Sequence, residues 1–241
     1  MQDSFLLKKK LFQVLAEKGA KLMGAGNLEG IADGRMKIGV SVAVPVPARI
    51  VRDLQTAPTK EYLEAYHSLN ARLDEIVRSG AEFLKENGYE AIANTTDVVK
   101  KDSEWRTPLP HKTVATRAGL GWIGKSCLLV TKEYGSAVRL SSLLTDAPLP
   151  ADVPINESHC RDCSVCVQKC PGGALTGARW KLGMEREELF CREVCKKTQL
   201  ERMKKAAGIE TDLCGLCFAV CPFTRQYLER ECRKEDEGKV S

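Results

Sequence analysis

The sequence predicts an α+β chain in two parts: an α/β sandwich over residues 1–150 and a smaller domain organised by metal over residues 151–241. Three observations predict it. Strand-like and helix-like patterns alternate through the first part, as they do where helices pack on a sheet. Ten of the eleven cysteines lie from Cys160 onward, so the first part must build an ordinary hydrophobic core and the second is organised around its thiols. Between them, Asp146 to Pro154 (DAPLPADVP) is proline-rich and reads as a linker.

Leu6, Leu7, Leu11, Val14 and Leu15 recur at helical spacing, with Lys8–Lys10 largely off that stripe. The glycines at 24, 26 and 30 read as the loop that ends this helix. Ile38 to Val46 is apolar and β-branched, a buried strand closed by Pro45 and Pro47. Glu61 to Asn87 is the longest helix, with Tyr62, Tyr66, Leu69, Leu73, Ile76, Val77, Phe83 and Leu84 on one side and Gly88 as its stop. Ala91–Thr95 is a short strand and Lys112–Ala118 a helix. Cys127–Thr131 and Val138–Leu144 are two more strands, separated by a turn at Tyr134-Gly135-Ser136. The charged run after Tyr227 is a helix end or tail.

A net charge of +5 is mild for this length and fits a solvated, mixed-charge surface; it leaves a nucleic-acid partner open without demanding one. MQDSFLLKKK has no secretory pattern, and no apolar run is long enough to cross a bilayer. The expectation is a cytoplasmic protein with no membrane partner, its cysteines kept as thiols.

Cys160, Cys163, Cys166 and Cys170, followed by Pro171, spell C-x₂-C-x₂-C-x₃-C-P, the ligand run of a bacterial ferredoxin-like [4Fe–4S] protein. Cys214, Cys217, Cys221 and Pro222 form a second half. Structural zinc favours paired C-x₂-C units and fits this pattern poorly. Three ligands can wrap a cubane in one loop, while the cysteine before proline crosses to the other cluster. One cluster would then use Cys160, Cys163, Cys166 and Cys221. The other would use Cys170, Cys214, Cys217 and either Cys191 or Cys195. Two oxygen-sensitive clusters imply low-potential electrons and an anaerobic or oxygen-protected setting.

Gly119-Leu-Gly-Trp-Ile-Gly-Lys-Ser126 satisfies both G-x-G-x-x-G and the P-loop string. Both need a strand before and a helix after, so that a helix N-terminus holds the phosphate. Here the order is reversed, and Trp122 and Ile123 are bulky and apolar, which argues against a nucleotide. Gly119, Gly121 and Gly124 instead permit close backbone approach to a planar ligand or to the cluster domain. Trp105 and Trp122 can stack on a flat cofactor or pack in the core, and Lys125 can meet an anion. His111, beside Pro108 and Pro110, is either a proton donor with a suitable ordinary pKa or a cap for the next helix.

Ala118-Gly-Leu-Gly-Trp-Ile-Gly-Lys125, Tyr134-Gly135-Ser136, Leu144-Thr145-Asp146 and the two-cluster cysteine set form one pattern. Tyr66-His67 with Leu69 and Leu73 lies upstream of it. Together they resemble the epoxyqueuosine reductase family, from about Ile38 to Pro222. That resemblance implies a flavin-free, nitroreductase-like α/β domain able to hold cobalamin, joined to a ferredoxin-like domain. It implies reduction of an epoxide on a modified tRNA nucleoside; related corrinoid reductases remove halogens. It places Gly119, Gly121, Trp122, Gly124 and Lys125, with the loop from Asp102 to His111, beside the cofactor. The family's catalytic aspartate falls near Trp105, where the nearest acids are Asp102 and Glu104, and the family's Glu-Arg pair is His111-Lys112 here. A cysteine after an Arg-Glu-x-Leu-Phe stretch, here Arg186 to Phe190, implies Cys195 as the eighth ligand, with Cys191 the alternative. The helical-repeat tail of the family does not follow Pro222, which suggests a short paralogue with an unknown substrate.

The function expected is therefore an enzyme. An external ferredoxin or flavodoxin supplies electrons singly, two [4Fe–4S] clusters pass them to cobalamin, and a small-molecule or nucleoside substrate is reduced. His111, Asp102 or Glu104 supplies the proton. The alternatives are a non-catalytic electron-transfer protein docking on a partner enzyme, and a tRNA epoxyqueuosine reductase proper.

Overall fold

Leu7, Leu11 and Leu15 fall on one face of the first helix, α1 (Gln2–Glu17), and all three are buried. The computed structural model describes residues 2–32 and 34–237. After α1 come strands β1 (Leu22–Asn27) and β2 (Ile38–Pro45), then helices α2 (Ala48–Asp53) and α3 (Lys60–Glu86). Next are β3 (Ala91–Asn94), α4 (His111–Arg117), β4 (Trp122–Ile123), β5 (Leu129–Val130) and β6 (Val138–Thr145). The cysteine-rich region carries α5 (Val165–Lys169), α6 (Arg192–Ala207), α7 (Leu216–Ala219) and α8 (Pro222–Glu237), with a 3₁₀ turn at Arg186–Glu188.

Two compact units form, interleaved along the chain. The first draws on residues 2–44, Ser68–Gly121 and Arg139–Asn156, and the second on Pro45–His67, Trp122–Val138 and residues 157–237. The sequence division at residue 150 is linear, because it follows where the cysteines lie; the packing draws Pro45–His67 and Trp122–Val138 into the cysteine-bearing unit.

The first unit layers helices on a four-stranded sheet of order β1-β2-β6-β3. β1 pairs antiparallel with β2, Gly24 opposite Ser41, and β3 antiparallel with β6, Ala91 opposite Thr145. β2 is buried along nearly its whole length, as its unbroken apolar run requires. Leu11 and Leu15 of α1, Leu73, Ile76, Val77 and Leu84 of α3, Val40 and Val42 of β2 and Leu143 of β6 share one core. Gly80 on α3 makes that contact close: a Cβ there would lie 2.8 Å from side-chain carbons of both Leu15 and Leu143.

Three local expectations need correction. Residues 22–27, read as a glycine loop, are strand β1. Gly24 and Gly26 are small because α4 and the residue after it cross directly over them: a Cβ on Gly26 would sit 2.6 Å from the Arg117 carbonyl carbon, and one on Gly24 would strike the Ala118 oxygen. The Asp146–Pro154 stretch is no free linker. Ala147 and Leu149 are buried. Asp152 accepts the Ala25 N–H at 2.8 Å and pairs with Lys8 at 2.7 Å. Cys127–Thr131 shrinks to the two-residue β5, because Cys127 takes a left-handed turn (φ 58) between β4 and β5.

The second unit is held by aromatic contacts among its own segments. Tyr62 meets Phe218 edge-on at 5.9 Å, Tyr134 meets Tyr227 at 5.2 Å, and the Tyr227 hydroxyl donates to the Val46 carbonyl at 3.1 Å. Gly135 (φ 57) lets the turn before β6 lie on the start of α8, where Ser136 N–H donates to Thr224 Oγ1 at 3.1 Å. Among the described residues no helix is long and apolar enough to cross a membrane.

Candidate metal centre

Short turns aim the thiols. The loop from Cys160 bends at Arg161, whose φ is +47, and closes with the Cys163 N–H donating to the Cys160 carbonyl at 3.0 Å. Cys166 then lies within α5 and Cys170 caps its C-terminus. Cys214 precedes a left-handed Gly215 that starts α7, which carries Cys217, and Cys221 stands directly before Pro222 at the start of α8. Cys195 sits in the first turn of α6.

These turns bring the thiols into two neighbourhoods, which overlap where Cys166 acts on Cys217. Burial pushes the Cys166 thiol up to about 11, and the neighbours that push it further are Cys221, Cys160 and Cys163. Cys221 is raised by burial and by Cys160 and Cys163, against N–H donors from Thr224 and Phe223. In the second group burial raises Cys217, helped by Cys214, Cys195, Cys166 and Cys170. Burial also raises Cys195, with Cys170, Cys214 and Cys127 as its thiol neighbours. Thiols crowded out of water resist ionising together, and a bound cation cluster reverses that balance. Among the described residues no three His, Cys, Asp or Glu side chains close on a single metal ion. A cubane does not ask them to, since it presents a separate iron to each thiolate. The donor set therefore fits two four-thiolate clusters.

Polar hydrogens reach several of these sulfurs. The Ala174 N–H donates to Cys170 Sγ at 3.3 Å, and Gln199 Nε2 to Cys195 Sγ at 3.1 Å. Gln199, one helical turn after Cys195, is a partner the sequence reading missed, although the i, i+4 spacing signals it. Cys191 differs: it is exposed and its Sγ faces Glu193 at 3.8 Å. Cys127 is buried and Cys232 exposed.

The glycine-rich string is divided between the units: Gly119 and Gly121 belong to the first, Trp122, Gly124 and Lys125 to the second. Gly119 (φ 71) follows α4 and packs on the Val153 carbonyl, 2.7 Å from where its Cβ would be. A Cβ on Gly124 would lie 2.7 Å from Val130 Cγ2 and 3.6 Å from Cys160 Sγ, so that glycine lets the β4–β5 hairpin back onto the first thiol group. Trp122 is buried, its ring 4.8 Å from His159 and 5.0 Å from Phe223, and its Nε1 has no partner among the described residues. Lys125 and Ser126 are buried in the hairpin turn. A helix precedes the string and a strand follows, the reverse of a phosphate-binding turn.

The proton-donor candidates lie in the first unit. His111 opens α4 and its Nδ1 meets Ser142 Oγ at 2.9 Å. Burial, then repulsion from Arg139, lowers its pKa to about 4, against a smaller opposing pull from Asp74. The ring is thus neutral near pH 7, which removes the ordinary pKa on which its reading as a donor rested. Asp102 sits in an exposed turn, its Oδ1 accepting the Arg106 N–H at 2.8 Å. Glu104 is exposed in the same turn, and Trp105 (φ 59) carries Lys101 4.9 Å above its ring. Ser142, Arg139 and Asp74, which set the state of His111, had no signal in the sequence.

Residues 159–224 match the family described as 4Fe-4S double cluster binding domain. Curated relatives named epoxyqueuosine reductase include one from Pseudomonas aeruginosa, 30% identical over 182 residues, which cover 76% of this chain and 49% of that protein. Another, from Bacillus anthracis, is 35% identical over 134 residues, 54% of this chain and 34% of that protein. The chain thus spans about half or less of the length of these relatives. Among solved structures, a catabolic reductive dehalogenase shares the fold with a TM-score of 0.71 at 17% identity, over 91% of this chain and 32% of its own. An epoxyqueuosine reductase crystallised with an epoxyqueuosine-modified tRNA stem loop gives 0.59 at 22% identity, over 92% of this chain and 66% of its own. By sequence, the chain is similar over three quarters of its length to a protein named epoxyqueuosine reductase, and residues 159–224 match the double cluster binding domain.

Proposed function

We propose that this protein is an iron–sulfur reductase that accepts low-potential electrons singly and delivers them to a cobalamin for reduction of an organic substrate. The observation that supports it most is the match of residues 159–224 to a double cluster binding domain, in which Cys160, Cys163 and Cys221 neighbour Cys166, and Cys170 and Cys214 neighbour Cys195. Cys160, Cys163, Cys166 and Cys221 would hold one cluster, and Cys170, Cys195, Cys214 and Cys217 the other. The N–H groups aimed at Cys170, Cys195 and Cys221 would stabilise the thiolates and tune the cluster potentials.

Cobalamin is proposed on the fold shared with a reductive dehalogenase whose structure is described for B12-dependent dehalogenation. When bound, it would supply a low-valent cobalt centre able to reduce carbon–heteroatom bonds. Gly119, Gly124 and Trp122 do not fit a corrinoid cradle, since the chain's own atoms fill the space beside them. Gly121 and Lys125 remain the proposed contacts of that string. The α/β unit is read as nitroreductase-like, with residues 1–150 serving cofactor and substrate and 151–241 serving the clusters. Ser142 would hold the neutral His111 ring by Nδ1 and leave Nε2 to face the substrate. Asp102 and Glu104 are the proposed acids. A small molecule or a nucleoside would be the substrate, an external ferredoxin or flavodoxin the donor, and the cytoplasm the setting.

The relatives' shared name supports a second reading, a tRNA epoxyqueuosine reductase proper. Anaerobic reconstitution with iron, sulfide and cobalt analysis tests the first reading, together with calorimetry and Co(II) EPR on added cobalamin. Two clusters with no cobalamin binding would leave a non-catalytic electron-transfer protein. Conversion of an epoxyqueuosine-bearing RNA stem loop would establish the second reading.

A further inference from the structure

Helix α6 concentrates the protein's charge. Its sixteen residues (REVCKKTQLERMKKAA) hold six basic and two acidic side chains, a net +4 where the whole chain has +5. Lys196, Lys197, Lys204 and Lys205 are exposed, whereas Met203 is fully buried and the Arg202 guanidinium donates to the Thr56 carbonyl at 3.2 Å. A surface groove of about 540 Å³ runs along the helix, with Arg192, Lys196, Lys197, Leu200 and Lys204 in its wall. The same helix carries Cys195, whose thiol neighbours are Cys170 and Cys214. Val194, one residue before it, is an exposed apolar side chain, 38% accessible.

Resting on the cluster assignment above, we propose that α6 is the docking face for a reduced flavodoxin, the entry point for electrons into the cluster that Cys195 would serve. A flavodoxin with an acidic surface around the apolar edge of its flavin would complement this face in charge. The exposed lysines would steer that surface, and Val194 and Leu200 would meet the apolar edge. Glu193, Glu201 and Glu210 also line the groove and disfavour a nucleic-acid backbone, which asks for an unbroken positive track. The step balances as one electron: flavin hydroquinone becomes semiquinone as one oxidised cluster gains the electron, and no bond in this chain breaks.

The test mixes reduced flavodoxin anaerobically with the reconstituted two-cluster protein and follows cluster bleaching. Lys197→Glu/Lys204→Glu lowers the second-order rate by about tenfold or more at low ionic strength, a difference that shrinks as salt rises. Lys9→Glu/Lys10→Glu makes the same change of net charge on exposed positions of α1 and leaves the rate within about twofold. Calorimetry with oxidised flavodoxin shows the matching loss of affinity in the α6 variant alone. Dithionite bleaches all three proteins alike. Equal effects of the two double variants, or none from either, overturn the docking face. A ferredoxin that shows this charge dependence while flavodoxin does not overturns the choice of partner. Loss of salt-sensitive RNA stem-loop binding in the α6 variant, with carrier reduction unchanged, would assign the face to nucleic acid instead. Protein that dithionite cannot bleach, lacking iron and sulfide, sinks the cluster assignment and this proposal with it.

Discussion

Cys191 and Cys195 are four residues apart and have opposite surroundings. Cys195 is tucked among Cys170, Cys214 and Gln199, while Cys191 is exposed beside Glu193. Cys195→Ala is therefore expected to lower iron from about eight to about four per chain, and Cys191→Ala to leave it unchanged; an iron and sulfide assay after anaerobic reconstitution separates the two, and the opposite pattern would transfer the ligand role. His111 yields a pH prediction. Its folded pKa, about 4, lies below the ordinary 6.5 that the unfolded chain restores. Between those values the unfolded state binds more protons, so stability is full above pH 6.5 and falls as pH drops toward 4, by up to about 3 kcal/mol. Urea midpoints measured anaerobically from pH 7.5 to 5 should fall more steeply for wild type than for His111→Gln. Parallel curves would show that the buried ring carries no such penalty. At this scale the ligand types and their spacing were legible in the sequence. The neutral state of His111 was not, because Arg139 and Ser142 reach it from β6, 28 and 31 residues along the chain.

The β1 strand shows how a local rule misleads. Gly24 and Gly26 punctuate a loop by composition, yet they are strand residues kept small by the chain at and just after α4. Gly26→Val would place a branched side chain where a Cβ already lies 2.6 Å from backbone, at a cost of about 1–3 kcal/mol. A lower urea midpoint with an unchanged slope would report it; a midpoint equal to wild type would show that α4 can shift away. The glycine-rich string makes the converse point. Its element order was readable from the helical Lys112–Ala118 and the apolar residues that follow, and the structure has α4 before and the β4–β5 hairpin after. ATP with Mg²⁺ at a hundred times its dissociation constant would stabilise a true P-loop by about 2.7 kcal/mol. No thermal shift is expected in fluorimetry; one abolished by Lys125→Ala would restore the nucleotide reading.

The whole molecule is interleaved, and that has a measurable consequence. Val46, Leu54 and Tyr62 precede the cysteine region by about a hundred residues, yet they pack on Tyr227, Gly215 and Phe218 in the same unit. Trp122 and Gly124 pack likewise on His159, Phe223 and Cys160. A fragment of residues 151–241 is therefore expected to reconstitute poorly and to release iron to a chelator faster than the full chain. A fragment that held about eight irons as firmly as the intact protein would show that the aromatic contacts from Pro45–His67 and Trp122–Val138 are dispensable.

By itself the sequence determined the cluster chemistry, because ligand spacing within a turn is a local property: Cys160, Cys163 and Cys166 declare a wrapped cubane wherever they sit in the fold. It also determined the main helices and strands, whose periodic apolar stripes are written residue by residue. The structure alone decided which distant segments complete each unit, and that the Asp146–Pro154 stretch is pinned by Asp152 to Lys8 and Ala25. It alone decided that Trp122 is enclosed beside His159 and Phe223 and that His111 is neutral. Each of these is set by desolvation and close packing between residues far apart in the chain, and no local pattern encodes which partner will arrive.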